Sequence, residues 1–181
     1  LPDVIVRERE NEDPDVAWPV IEQALEDALT NCRSMRTEEG KVMTRDLTER
    51  LTFFSETVDE IESKVPELVT KRQTAMKERL EKLLDDPRQL DPLRLAQEVA
   101  VLADKSDVTE ELVRLKSHIS QFRSFLSEKG GIGRKLDFLI QEFLREVNTI
   151  GAKINDAKVA YLTVSLKSEL EKMREQVQNI E

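Results

Sequence analysis

The chain has 181 residues, of which 36% are charged and 4% aromatic, and a net charge of -9 at pH 7. This profile is typical of long helices and coiled coils, and its acidic balance excludes a uniformly basic nucleic-acid-binding protein. Cys32 is the only cysteine, which excludes an intrachain disulfide and favours a reducing, cytoplasmic location. No apolar run approaches the ~18 residues that a membrane-spanning helix needs, so we expect no membrane partner.

The N-terminal half is predicted to form two long helices. The first begins at Asp13-Pro14 and ends at Gly40, and the second is expected to kink or split at Pro66. Heptad-like spacings of three and four define the two apolar seams, Trp18, Ile21, Leu25, Ala28, Cys32 and Met35 on the first helix and Leu47, Leu51, Phe54, Val58, Ile61, Val65 and Leu68 on the second. Adjacent seams joined by a turn predict an antiparallel hairpin or coiled-coil stalk.

The sequence DDPRQLDP at 85–92 is the best internal boundary. It separates residues 1–90, the hairpin expected to serve as a stalk or an oligomer contact, from a compact C-terminal helical region at 91–181. A short helix is predicted over 92–103. The next helix is expected to begin with Asp107 as N-cap and Glu110 completing a capping box.

Two more helices complete the predicted fold, one over about 134–151 and one carrying the last apolar seam. That seam consists of Val159, Leu162, Leu166, Leu170, Met173, Val177 and Ile180. No segment shows the alternation of a strand, so the fold class is all-α. The glycine-rich sequence KGGIGRK at 129–135, just before the helix predicted at about 134–151, is either a helix–helix turn or a helix start that holds a phosphate.

The helix at 134–151 has an unusually varied polar side. Its apolar face comprises Leu136, Leu139, Ile140, Phe143, Leu144, Val147 and Ile150. Phe138 lies in the middle of the opposite face, where it indicates a partner surface, either a base to stack on or a neighbouring subunit. Between Arg114 and Lys153, eight Lys/Arg outnumber four Asp/Glu. A solvated face with i,i+4 charge pairs is the simpler interpretation of this helix, but the exposed ring and the local excess of positive charge weaken it.

Glu111, Arg114 and His118 stack on one side of the preceding helix, because they are spaced three and four residues apart. His118 is the only histidine. A histidine at the edge of a core is usually structural, but beside Glu and Arg it can also be a general acid/base or a metal ligand.

Several segments resemble one known family. LADKSDVTEELVRLKSH (102–118) and GRKLDFLIQEFLREVNTIGAK (133–153) resemble the C-terminal signature of the YicC/YloC family of bacterial endoribonucleases. MRTEEG (35–40) with RDL (45–47) resembles its middle region, and SLKSELEKMREQVQNIE (165–181) its C-terminal end. The sequence departs from the family at Phe143-Leu144, where Met-Asn is usual, and at Ala152, where Ser is usual.

The resemblance implies cleavage of single-stranded RNA by a cytoplasmic homo-oligomer, expected to be a hexamer, that depends on a divalent metal, Mn²⁺ or Mg²⁺. The positions that match the family motifs are Glu111, Arg114, His118, Arg134, Lys135, Asp137, Gln141, Glu142, Arg145, Glu146, Asn148, Thr149 and Lys153. The chain begins LPDVIVRERE, without Met or a signal-peptide pattern. We therefore expect a fragment that lacks the family's N-terminal domain, with its activity and assembly in question.

On this interpretation residues 1–90 are the oligomerisation or RNA-clamp region and residues 91–181 are the endoribonuclease region. Each matching residue type then has a chemical role. The catalytic candidates are His118, Glu111, Glu142 and Glu146. The metal ligands, chosen because hard cations prefer oxygen, are Glu142, Glu146 and Asp137. The RNA contacts, mostly cations that pair with phosphate, are Arg114, Arg134, Lys135, Gln141, Arg145, Asn148 and Lys153. A non-catalytic RNA-binding clamp and a coiled-coil assembly protein remain alternatives.

Overall fold

The computed structural model describes residues 14–83, 92–128 and 130–180. Within these ranges it contains five helices and no strand, which confirms an all-α chain with a long N-terminal helix followed by a compact helical region. The helices are α1 (Pro14–Leu83), α2 (Pro92–Ser106), α3 (Thr109–Leu126), α4 (Gly133–Lys153) and α5 (Ala157–Val177). None of the described helices combines the length and apolar character needed to cross a bilayer.

The predicted hairpin turn at Gly40 is wrong, because α1 is a single helix of 70 residues. One glycine inside a helix costs about 1 kcal/mol relative to alanine but keeps its backbone N–H, so alone it does not end the helix. Side-chain pairing continues beside it, with Lys41 Nζ 2.6 Å from Glu38 Oε1. The helix also continues through Pro66 without being split. The predicted boundary at 85–92 lies, apart from Pro92, outside the described residues.

The chain divides into two compact units, Leu1–Val42 and Met43–Glu181. In the first unit, the described side chains of α1 are almost all exposed. Its predicted seam is included: Trp18, Ile21 and Leu25 are 57%, 54% and 54% exposed. The heptad-like spacing therefore marks an apolar stripe that no other described residue of this unit covers.

The hydrophobic core lies in the second unit. Five side chains of α1 that lie at the predicted spacings are fully buried in it: Leu47, Leu51, Phe54, Val58 and Ile61. Phe143 of α4 contacts both α1 and α3. Its ring centroid lies 4.9 Å from that of Phe54 on α1 and 6.0 Å from that of Phe122 on α3. The predicted apolar faces of α4 and α5 are buried as expected, with Leu144, Leu162 and Ile180 only partly covered.

The start of α3 differs from its prediction. Val108 is the N-cap and has no side-chain cap hydrogen bond, while Asp107 Oδ1 accepts a hydrogen bond from the Thr109 N–H at 2.9 Å. Hydrogen bonding from the Thr109 side chain, followed by that from its backbone N–H, lowers the pKa of Asp107. The predicted capping box is wrong, because Glu110 turns along the helix to pair with Arg114 one turn later.

Gly133 allows α4 to begin against the end of the chain. A Cβ built at Gly133 would lie 2.3 Å from the backbone oxygen of Ile180, and a backbone oxygen cannot move cheaply. We therefore expect Gly133→Ala to lower the free energy of unfolding by about 1–3 kcal/mol, the usual cost of overpacking. Urea denaturation followed by circular dichroism measures this change.

Gly40→Ala is the matched control for Gly133→Ala. A Cβ at Gly40 would have nothing within 4 Å, and alanine favours a helix interior by about 1 kcal/mol over glycine. This variant should be neutral or more stable than the wild type. Equal destabilisation by both substitutions would contradict the close approach as the reason for Gly133.

Candidate metal centre

Six of the sequence-predicted residues, three on α3 and three on α4, face one another along an antiparallel pair of helices. From one end to the other, Glu111 pairs with Lys153, Arg114 pairs with Glu146, and His118 lies beside Glu142 and Glu146. Each column is formed by residues three, four or seven apart, which share one side of a helix. Both columns lie at the border between the buried and exposed faces.

His118, Glu142 and Glu146 form one cluster, which we call the HEE cluster. One ligand atom from each residue lies within 4.8 Å of the others. Glu142 and Glu146 converge because they are one turn apart on α4. His118 comes from α3, and its ring meets the Phe143 ring edge-on at 6.1 Å.

The chemistry of the HEE cluster fits a divalent cation. An ion bound at about 2.0–2.2 Å to imidazole nitrogen and carboxylate oxygen holds its ligand atoms within roughly 4 Å of one another, and the cluster is already close to that spacing. His118 Nδ1 is buried and has no hydrogen-bond partner among the described residues. His118, Glu142 and Glu146 are thus the residues that can hold a metal ion.

Arg114 modulates the charge of this cluster. Its Nη1 donates a hydrogen bond to Glu146 Oε1 at 3.3 Å, and its Nη2 pairs with Glu110. The bond to Glu146, followed by the attraction of Glu110, raises the pKa of Arg114. Glu146 is only 2% exposed, and a buried carboxylate needs such a partner or a cation to offset its desolvation.

Glu111 lies at the far end of the same helix pair. Lys153 Nζ lies 2.7 Å from Glu111 Oε1 and also donates to the Asp107 carbonyl oxygen at 2.8 Å. Glu111 Oε2 is buried without a hydrogen-bond partner among the described residues. Because seven residues of α3 separate Glu111 from His118, the two side chains lie about 10 Å apart along the axis.

The remaining predicted residues lie on other parts of α4, outside the HEE cluster. Asp137 accepts a hydrogen bond from Gln141 Nε2 at 2.8 Å and lies 3.7 Å from Arg174 Nε on α5. Lys135 pairs with Glu128 at 2.5 Å and covers the Phe125 ring. Arg134, Arg145 and Asn148 are exposed.

Glu110 is the one partner in this site that sequence reasoning assigned elsewhere. Its spacing to Arg114 is i,i+4, the spacing of a helical ion pair, so the signal was present in the sequence. It competed with the capping-box pattern, which requires the same residue type. The Glu110 carboxylate fits both the capping-box pattern and the ion-pair pattern. In the structure its partner is the Arg114 guanidinium.

The fold and the cluster together define an all-α protein with a candidate divalent-metal centre between two antiparallel helices. Residues 61–181 match the family model described as "Endoribonuclease YicC-like, C-terminal", and residues 1–45 match "Endoribonuclease YicC-like, N-terminal region". The chain belongs to this YicC-like family. The expectation that its N-terminal region is missing is wrong, because residues 1–45 match that region.

Two curated relatives are similar over nearly the whole chain. A protein of Clostridioides difficile (strain 630) named "Probable endoribonuclease YicC" is 48% identical over 181 residues, which is 100% of this chain and 62% of the relative. A protein of the same name from Haemophilus influenzae (strain ATCC 51907 / DSM 11121 / KW20 / Rd) is 36% identical over 176 residues, 97% of this chain and 60% of the relative. The chain thus spans about three-fifths of the length of these relatives.

Proposed function

We propose that the full-length protein is a metal-dependent endoribonuclease that cleaves single-stranded RNA in RNA turnover, with the HEE cluster as its metal centre. The convergence of His118, Glu142 and Glu146 in a chain of this family is the observation that carries the proposal. The cluster mixes one imidazole with two carboxylates. Mg²⁺ is a hard cation that takes oxygen ligands and keeps several waters, whereas Mn²⁺, a softer transition-metal ion, also accepts an imidazole nitrogen, so the donor set favours Mn²⁺ over Mg²⁺.

A bound divalent cation would neutralise charge on the phosphodiester and lower the pKa of a water. The cationic side chains near the cluster would then orient the RNA. Arg145 is 69% exposed in its side chain, and its Nη1 is 3.8 Å from Glu142 Oε2, so its guanidinium can turn to a phosphate. When Glu146 binds the cation, Arg114 still has Glu110 as an ion-pair partner.

His118 is the candidate for proton transfer or direct metal ligation. It has one ring nitrogen without a hydrogen-bond partner among the described residues, and such a nitrogen can bind a metal or hold a proton. Glu111 has one oxygen fixed by Lys153 and one without a hydrogen-bond partner among the described residues. Because a proton-transfer group must lie within hydrogen-bond reach of the reacting atoms, and Glu111 lies about 10 Å from His118 along the helix axis, the catalytic role of Glu111 stays a prediction. The metal role of Asp137 and the RNA contacts of Arg134, Lys135, Gln141, Asn148 and Lys153 stay predictions.

The proposal includes a cytoplasmic homo-oligomer, a hexamer on the family resemblance. The exposed stripe of Trp18, Ile21 and Leu25 supports self-association, because a contiguous apolar stripe on a helix is commonly a protein interface. The single free cysteine, Cys32, agrees with a reducing compartment.

The proposal is tested by incubating full-length protein with end-labelled single-stranded RNA in Mn²⁺, Mg²⁺ or EDTA. We expect internal cuts that are faster with Mn²⁺ than with Mg²⁺ and absent in EDTA. Replacing the 2′-hydroxyl beside the cut with hydrogen separates attack by water, which continues, from attack by the ribose, which stops. RNA binding that weakens steeply with salt, without cleavage in any metal, would instead identify an RNA-binding clamp. A monomer in light scattering would contradict the oligomer.

A further inference from the structure

Phe138 is the aromatic residue of α4 that the core does not use. Its side chain is 60% exposed, whereas Phe143 on the same helix is fully buried. The residues four before and three and four after it are its neighbours on the helix surface, and they are Arg134, Gln141 and Glu142. An aromatic ring is thus placed among polar and charged groups rather than in an apolar patch.

The position of Phe138 relative to the HEE cluster is set by the helix. Glu142 belongs to the cluster and lies four residues further along, a rise of about 6 Å. That rise is comparable to the span of one nucleotide in an extended strand. Arg145 lies seven residues after Phe138 and Arg134 lies four residues before it, so both are near the same face of the helix as the ring. Cations therefore lie before and after the ring.

We propose that Phe138 is a base-stacking residue, on which an unpaired RNA base lies one nucleotide away from the bond that is cut at the HEE cluster. The inference rests on the proposed function and adds a subsite to it. Single-strand-binding surfaces combine cations along the backbone with aromatic rings that take a base, and this is the arrangement around Phe138. A subunit contact would also use Phe and Arg, which protein interfaces enrich, but it fits less well with Lys135 and Glu142 beside the ring, because interfaces are depleted of Lys and Glu.

Stacking on a phenyl ring needs a base but does not select which base, because every base has a π-face. The subsite therefore predicts a specific pattern in the substrate. Removing one base next to the cleaved bond should weaken binding, whereas exchanging that base for another should have little effect.

The test measures the affinity of the full-length protein for fluorescently labelled single-stranded RNA by anisotropy in EDTA. A series of RNAs carries one abasic nucleotide at successive positions around the mapped cut. In the wild type, the abasic nucleotide at the stacked position should weaken binding by about 5- to 150-fold, the range that base–aromatic stacking supports. In Phe138→Ala this penalty should vanish, and in Phe138→Trp it should return.

Tyr161→Ala is the control, because Tyr161 is also exposed, at 75%, but lies on α5. This variant should keep the wild-type abasic penalty. An unchanged penalty in Phe138→Ala would overturn the inference while leaving the proposed nuclease intact. A smaller oligomer for Phe138→Ala in light scattering would also overturn it, by assigning the ring to a subunit contact. If the wild type cleaves RNA in no metal, the proposed function is contradicted. The binding assay in EDTA still tests base stacking in that case, because the abasic nucleotide can be placed at every position of the strand in turn.

Discussion

Replacing Glu146 with glutamine in the full-length protein should abolish RNA cleavage while leaving the fold and the oligomer intact. Glu146 is almost completely buried and supplies one of the three potential ligand atoms of the HEE cluster. Removing a residue that hydrogen-bonds to a metal ligand typically lowers metal affinity or activity by about 10- to 100-fold. Removing a ligand itself should therefore lower kcat by more than about 100-fold. Single-turnover cleavage and calorimetric titration with Mn²⁺ measure the two effects.

Glu110→Gln separates this effect from the loss of an ion pair. Both glutamates pair with Arg114, but only Glu146 belongs to the cluster. Because an ion pair exposed to water contributes little, Glu110→Gln should change the cleavage rate by less than about tenfold and leave Mn²⁺ binding unaltered. Normal cleavage by Glu146→Gln would show that the metal assignment is wrong, and equal losses in both variants would assign the effect to Arg114.

Phe143→Ala should have the largest effect on stability. Phe143 is fully buried and stacks near both Phe54 and Phe122, so its truncation leaves a cavity between three helices. Such a change costs about 3–5 kcal/mol in a well-packed core. The His118 ring also rests against Phe143, so Mn²⁺ affinity should fall as well. Urea denaturation and calorimetry measure the two losses.

Phe138→Ala is the matched stability control, since it removes the same side chain from the same helix. Because Phe138 is mostly exposed, its truncation should change the free energy of unfolding by no more than about 0.5 kcal/mol. Similar destabilisation by the two substitutions would contradict the assignment of the core face of α4.

In the second unit, the spacing of apolar residues determined the helices and their buried faces, whereas the same spacing in the first unit marks an exposed stripe. Leu47, Leu51 and Phe54 were predicted on one seam and are fully buried, because burial against a single core imposes the period of the helix on the sequence. The exposure of Phe138 followed from the same period. The family also followed from the sequence, since long motifs in a fixed order are themselves sequence properties.

Other features depend on contacts between segments far apart in the chain. The closeness of His118 to Glu142 and Glu146 is set by how far α3 slides along α4, and no periodicity within either helix encodes that register. The need for glycine at 133 comes from the Ile180 backbone, 47 residues later. By contrast, the choice of Glu110 between capping the helix and pairing with Arg114 is a competition between two local contacts.

The sequence by itself therefore determined the core-facing sides of the helices in the second unit and which chemical groups are available, because hydrophobic burial and helix geometry act residue by residue along the chain. Only the tertiary structure decided which of those groups meet. The relative placement of two packed helices depends on the interlocking of many side chains at once, and that sum cannot be read from either helix alone.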